Sequence, residues 1–385
     1  MLFAHSVDAD VLRRALWADS MGAVAHHSGP GRRCSLHHVA FGESRSARDV
    51  IGSPARLQTY GGERIELLGR TPERARPMNL DHLGTPVGPM TRLHGKGSNR
   101  MHRLDTSEGS FAVKALMLDR DWTFRHYDVF RLEQAAFAAG IPMPEPIYAD
   151  AEVVVHRWVE ADAVPEEPVS AAFAFEIGEI LARLHALDLM WTDVAVEGRT
   201  PLDWPELAER AAATGQPWAD VLNSNVDVFL SIADFIDTCE RPGPVVLTHR
   251  DIHPWNLLAR NGRPIVLDWE ISGMLDLAGE LGSTALSLSK GPGFDDIDPA
   301  VFRSVLDGYV AGGGALPAPG PSWFVFMIGG WMGFTRRNIL QCLVGVEAHN
   351  GPDLTMCNDE VWNGLHGLPD MFGRLPQFED LLVRR

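Results

Sequence analysis

The spacing of apolar residues along this chain changes period several times, and each change marks an element. Between 173 and 187 they fall at Phe173, Ile177, Ile180, Leu181, Leu184 and Leu187, the stripe of an amphipathic helix laid against a core. Helices are also predicted for the segment that stops at Gly140 ahead of Ile141 and Pro142, for 279–288 and for 299–311, before a Gly/Pro-rich break at 312–321. The apolar run from Ser322 to Leu340 reads as a further helix, and 359–382 as a closing helix pair. Two or three helices are expected between Trp191 and Thr238, punctuated by Pro201, Pro205 and Pro217. Strands are expected around two tight turns, at Glu108-Gly109 and at Asn261-Gly262, and again from Val153 onward. Asn261-Gly262 is the stronger turn signal, because a two-residue hairpin turn needs positive φ at both positions. Residues 1–77 show no sustained period. They read as an extension of unknown role, able to hold at most a helix at 9–18 and a strand at 64–68.

The hairpin around Asn261-Gly262 brings chemistry with it. Its open ends must meet, since paired strands lie about 4.8 Å apart. Asn256, which enters it, and Asp268, which leaves it, therefore become neighbouring oxygen donors suited to one hard cation. Upstream, His249-Arg250-Asp251 completes a His-x-Asp-x-x-x-x-Asn run followed by the second Asp. Phosphoryl transfer asks for those parts: a carboxylate to take a hydroxyl proton, then Asn and Asp to hold Mg²⁺ on nucleotide phosphates.

On these residues the chain, from Leu93 to its C-terminus, resembles the aminoglycoside phosphotransferase family, the small-molecule branch of the protein-kinase-like fold. The resemblance implies an α+β, two-lobed fold, with a small β-rich lobe at 90–160 that binds nucleotide. A larger helical lobe at 161–385 would carry the catalytic loop and acceptor pocket. It also implies Asp251 as catalytic base, Asn256 and Asp268 as metal ligands, and ATP or GTP with Mg²⁺ as cofactors. His249 is expected to lock the catalytic loop through hydrogen bonds to backbone or to the Asp268 segment, without transferring a proton to substrate. In this family a run like Gly-Asp-Pro-x-x-Asp-Leu follows the metal-binding Asp. Here Asp276 fills its first acidic place, Leu277 replaces Pro, and Glu280 stands near its last. No Ala-Pro-Glu follows, which favours small acceptors over peptides.

Lys114 is one of three lysines, with Lys96 and Lys290, among 34 basic residues, so its place in Phe-Ala-Val-Lys-Ala-Leu is not compositional habit. An ammonium in an apolar strand is costly unless it meets an anion. Phosphate would be one partner and Glu133 of the following helix the other, with Asp128 in reserve; a lysine snorkelling from a strand edge is the plainer alternative. Gly95, Gly97 and Ser98 form a small-residue loop whose backbone N–H groups could approach phosphate. The backbone from Arg157 to Val159 would meet the nucleobase, although the family often has an acidic residue where Arg157 stands. Glu270, Asp276 and Trp331 are expected toward the acceptor, with core packing the alternative for Trp331.

Composition narrows the partner. A net charge of −17 argues against nucleic acid, whose phosphates need a basic surface, and suits a cationic small molecule. Residues 1–90 hold eleven Arg against nine Asp plus Glu, so the acidity lies where the motifs lie. Cys34, Cys239, Cys342 and Cys357 are scattered, without zinc spacing, and no apolar run has the length of a membrane span. The expectation is a cytoplasmic kinase acting on a small, cationic hydroxyl acceptor such as an aminoglycoside. A metabolite kinase of the choline, homoserine or fructosamine type is the alternative, and a non-catalytic nucleotide-binding kinase fold is a second.

Overall fold

A computed structural model describes residues 80–93, 100–116, 126–150, 153–164, 168–189, 191, 202–291, 296–344 and 354–383. The phosphate loop at Gly95, Gly97 and Ser98 and the extension at 1–77 lie outside the described residues. Everything described below belongs to one compact unit that holds residues 81–385.

Five strands form an antiparallel sheet: β1 (Thr91–Arg92), β2 (Arg100–Thr106), β3 (Gly109–Ala115), β4 (Pro146–Ala149) and β5 (Val153–Arg157), in the order β1-β2-β3-β5-β4. Between β2 and β3 the turn falls on Ser107 and Glu108, and Gly109 opens β3 at φ 120°. Helix α1 (His126–Ala138) packs beside β4. It ends as its sequence predicts: Gly140 takes φ 76° and Ile141 N–H closes back on the Ala136 carbonyl at 3.0 Å.

The remaining elements build the helical lobe. The short strand β6 (Asp162–Ala163) is followed by α2 (Ala171–His185), whose Ser170 cap accepts from Phe173 N–H. Next come α3 (Trp204–Ala213) and α4 (Ala219–Thr238). Strand β7 (Val245–Thr248) leads to the catalytic loop, then to β8 (Leu257–Arg260), β9 (Arg263–Val266) and β10 (Gly273–Asp276). Helices α5 (Leu277–Ser289), α6 (Pro299–Ala311), α7 (Ser322–Val344), α8 (Leu354–Gly373) and α9 (Leu375–Val383) complete the chain. Helix α7 buries Trp323 through Ile328 without a break, which explains why its sequence is apolar all round.

The crossing of α2 and α6 needs a glycine on each side. A Cβ on Gly178 would collide with the Val305 carbonyl, and one on Gly308 with the Phe175 carbonyl. Gly308→Ala is expected to force the helices apart and cost about 3 kcal/mol, read as a lower denaturant midpoint. An unchanged midpoint would show that the crossing can relax.

Candidate active site

Two small sheets aim three segments at one place. The hairpin β8–β9 pairs Leu257 with Val266 and Arg260 with Arg263, closed by Asn261 at φ 52° and Gly262 at φ 76°. Both turn residues are left-handed, as the sequence predicts. At its open end Leu267 N–H donates to the Asn256 carbonyl at 2.9 Å. The other sheet pairs β7 with β10 antiparallel, with Thr248 opposite Gly273. The loop that leaves β7 at His249 and the loop that enters β10 from Asp268 therefore lie at the same end.

His249 ties these loops together. It is fully buried; its Nε2–H donates to the Leu267 carbonyl at 2.9 Å, and its Nδ1 accepts from Asp251 N–H at 3.3 Å. Burial lowers its pKa, which agrees with a neutral ring that donates at one nitrogen and accepts at the other. Arg250 and Asp268 both take left-handed backbone, at φ 67° and 65°, a conformation costly for side-chain-bearing residues and frequent at functional sites. The Arg250 guanidinium turns inward and donates to the Met274 carbonyl. It fills the room that Gly273 leaves, since a Cβ there would stand 2.6 Å from its Cζ.

Asn256 Nδ2 donates to the Asp251 carboxylate at 2.6 Å and to the Asp251 carbonyl at 3.0 Å. A carboxylate only accepts, so the amide nitrogen must face it and the amide oxygen is left for another cation or donor. Lys114 reaches across from β3: its Nζ lies 3.0 Å from Asp268 Oδ1 and also contacts Glu270 Oε1. The three side chains are only 11–12% exposed. This position thus attracts positive charge, and its oxygen donors suit a hard divalent cation.

Other predicted site residues stand elsewhere. The Glu133 carboxylate faces His156 Nε2 at 3.1 Å, while Lys114 meets Asp268 and Glu270. Pairing of Ala112 with His156 and Lys114 with Val154 puts Lys114 and His156 on one face of the sheet, and the histidine meets the helix carboxylate. Glu270 sits on Lys114. Asp276 caps α5, its Oδ1 accepting from Gly279 N–H at 2.7 Å, and pairs with Val245 at the far end of β7 from the loop. Trp331 rests on Gly367, where a Cβ would overlap the indole, so it packs α7 against α8. The Arg157 side chain folds back over the Phe111 ring and donates to the Glu108 carbonyl at 3.0 Å. The N–H groups of Arg157 and Trp158 go to the carbonyls of Glu145 and Ser110.

Sequence reasoning left His253 without a role and did not pair Glu270 with Lys114. No local pattern pointed to the second, because the strand ends at Val266 and Asp268 takes left-handed backbone, so alternation does not carry through to Glu270.

Glu280 lies buried beneath the catalytic loop. Its pKa is pushed up to about 8 by burial, which outweighs the nearby Thr248 hydroxyl and Arg250 guanidinium. The folded chain holds this proton to about pH 8, whereas an unfolded glutamate releases it near 4.5. The resulting stability is present below the lower value and lost as pH rises through the upper one. Glu280→Gln is expected to flatten the fall in unfolding free energy between pH 5 and pH 8.5, by an amount on the order of a few kcal/mol. His185 acts oppositely. Burial lowers its pKa to about 4 from 6.5, so its contribution is present above 6.5 and lost toward acid.

Comparison with known proteins decides the family. A model of the phosphotransferase enzyme family matches residues 89–321. The chain belongs to that family. It is a small-molecule phosphotransferase acting on a hydroxyl group. A spectinomycin phosphotransferase solved with ADP and spectinomycin has a TM-score of 0.54 at 11% identity, covering 75% of this phosphotransferase and 93% of that chain. An aminoglycoside phosphotransferase from Alicyclobacillus acidocaldarius has a TM-score of 0.50 at 14% identity, covering 82% and 99%. These likenesses show the shared fold, with its small antiparallel sheet and larger helical lobe. No curated protein matches. No helix among the described residues of the phosphotransferase is long and apolar enough to cross a membrane.

Proposed function

We propose that this enzyme transfers the γ-phosphoryl group of ATP or GTP to a hydroxyl of a small cationic molecule, with an aminoglycoside or related antibiotic as the first candidate. The observation that carries the reading is the convergence of Lys114, Asp268 and Glu270 in one ion cluster beside an Asp251–Asn256 pair. In the proposed mechanism residues 90–160 form the nucleotide lobe and 161–385 the acceptor lobe. Asn256 and Asp268 would hold Mg²⁺, and Lys114, which lies on Asp268 and Glu270, would serve the phosphate oxygens. Mg²⁺ in that position offsets the negative charge of the transferred group. The loop with Gly95, Gly97 and Ser98 would line the phosphates, and the backbone from Arg157 to Val159 would face the base. Asp251 accepts the hydrogen bond of the acceptor hydroxyl and then its proton. His249 takes no proton; it holds the loop in place.

The cationic acceptor is supported by the net charge of −17 and by the spectinomycin bound in the structurally similar phosphotransferase. A cytoplasmic location, where nucleotide is supplied, goes with this reading. The test is nucleotide-dependent ADP or GDP release across aminoglycosides, cationic peptide antibiotics, choline, homoserine and fructosamine. Release with a cationic antibiotic is expected. Release confined to metabolites would overturn the antibiotic reading and leave a metabolite kinase.

A further inference from the structure

The catalytic loop carries a second histidine, and both of its ring nitrogens are engaged. His253 sits in extended backbone (φ −151°, ψ 166°) just before the short turn Pro254–Asn256, and its Nδ1 accepts from Trp255 N–H at 3.3 Å. A neutral ring that accepts at Nδ1 carries its proton on Nε2. That nitrogen lies 3.2 Å from Asp251 Oδ1. The other carboxylate oxygen, Oδ2, is held by Asn256 Nδ2 at 2.6 Å.

We infer that His253 is a positioning residue for Asp251. The terminal torsion of an aspartate is broad, and one donor leaves the carboxylate free to swing. Asn256 Nδ2 donates to one oxygen and His253 Nε2 stands against the other, and the two together hold its plane. A carboxylate has about four lone-pair sites, so such neighbours and an acceptor hydroxyl can share it. His253 is itself oriented by the Trp255 backbone, so the turn Pro254–Asn256 sets the direction of the carboxylate from both sides. His249 and His253 divide the work: the first holds the backbone of Asp251, the second its side chain. The inference rests on the reading of Asp251 as base, because orientation matters to turnover only if that carboxylate meets the reacting hydroxyl.

Two substitutions separate positioning from simple turn capping. His253→Gln places an amide N–H where Nε2–H stands and removes the cap on Trp255. His253→Asn keeps an acceptor for Trp255 N–H but is too short to reach Asp251. Turnover of MgATP and MgGTP by the full chain is measured with the acceptor found in the panel, or with water in its place. His253→Gln is expected to stay within about threefold of the parent kcat. His253→Asn is expected to lose about tenfold to a hundredfold in kcat with nucleotide KM unchanged. The reverse order, or full activity in both, leaves His253 a turn cap and overturns the inference. Should either variant melt far below the parent, His253→Ala with and without added imidazole takes its place. A kcat loss that imidazole restores supports positioning, and a loss that it does not restore, or no loss, refutes it. Asp251→Asn is run alongside. If it keeps full turnover, or if the parent chain releases no ADP or GDP, the base reading fails and the inference with it. If Asp251→Asn is inactive while the histidine variants are unimpaired, only the inference fails.

Discussion

Asp251→Asn is expected to lower kcat by about 10²–10⁴-fold while nucleotide affinity stays within a few-fold of the parent. The substitution is nearly isosteric, and the new amide can still turn its oxygen toward Asn256 Nδ2, which now donates to a carboxylate oxygen at 2.6 Å. The Asn256 contact is thereby kept while the group that takes the hydroxyl proton is lost. Single-turnover kinetics with saturating nucleotide, together with titration of nucleotide binding, would separate the chemical step from affinity. Turnover close to that of the parent would remove Asp251 from the chemistry.

Lys114→Met is expected to act twice. Turnover should fall by about 10²–10³-fold, the usual effect of deleting one donor aimed at charge in a transition state. The folded chain should also lose stability, because Asp268 and Glu270 share this one ammonium and would otherwise face each other as like charges. Removing one member of a buried ion pair costs about 3–5 kcal/mol. Here about 2 kcal/mol is expected, since the cluster keeps some contact with water. Methionine matches the length of the lysine stem, so packing is disturbed least. Denaturant unfolding and steady-state kinetics on one preparation check both effects. A variant with normal stability would show that the carboxylates do not depend on the ammonium.

The sequence was most legible where a local rule decides the outcome. Asn261-Gly262 could hardly have been anything but a two-residue turn, and Pro299 to Ala311 became a helix of those bounds, with Asp298 as its cap. The hairpin that separates Asn256 from Asp268 was legible in its turn, while the left-handed backbone of Asp268 had no local signal. Partner choice was harder to see. Glu133 was placed on the right helix, but competition from His156 depends on which strand lies beside β3, and strand order is not written in any local pattern. Asp276 was misread for another reason: an acidic residue at a strand-to-helix junction, with Gly279 three positions on, carries the mark of a helix cap. The motif comparison drew it toward substrate instead. Trp331 needed Gly367, far off in the chain, to show what it packs on.

The hairpin also acts as a ruler. Pairing of Leu257 with Val266 and Arg260 with Arg263 leaves two residues at the tip, and that count sets Asn256 opposite Leu267, one residue before Asp268. Lengthening the tip by an even number, such as a second Asn-Gly, leaves every rung of the ladder matched and should be tolerated, the extra chain standing in solvent. Inserting a single residue either bulges one strand or slips it by a step, and a slip reverses which side chains point inward. Length variation in this bend is therefore constrained by parity.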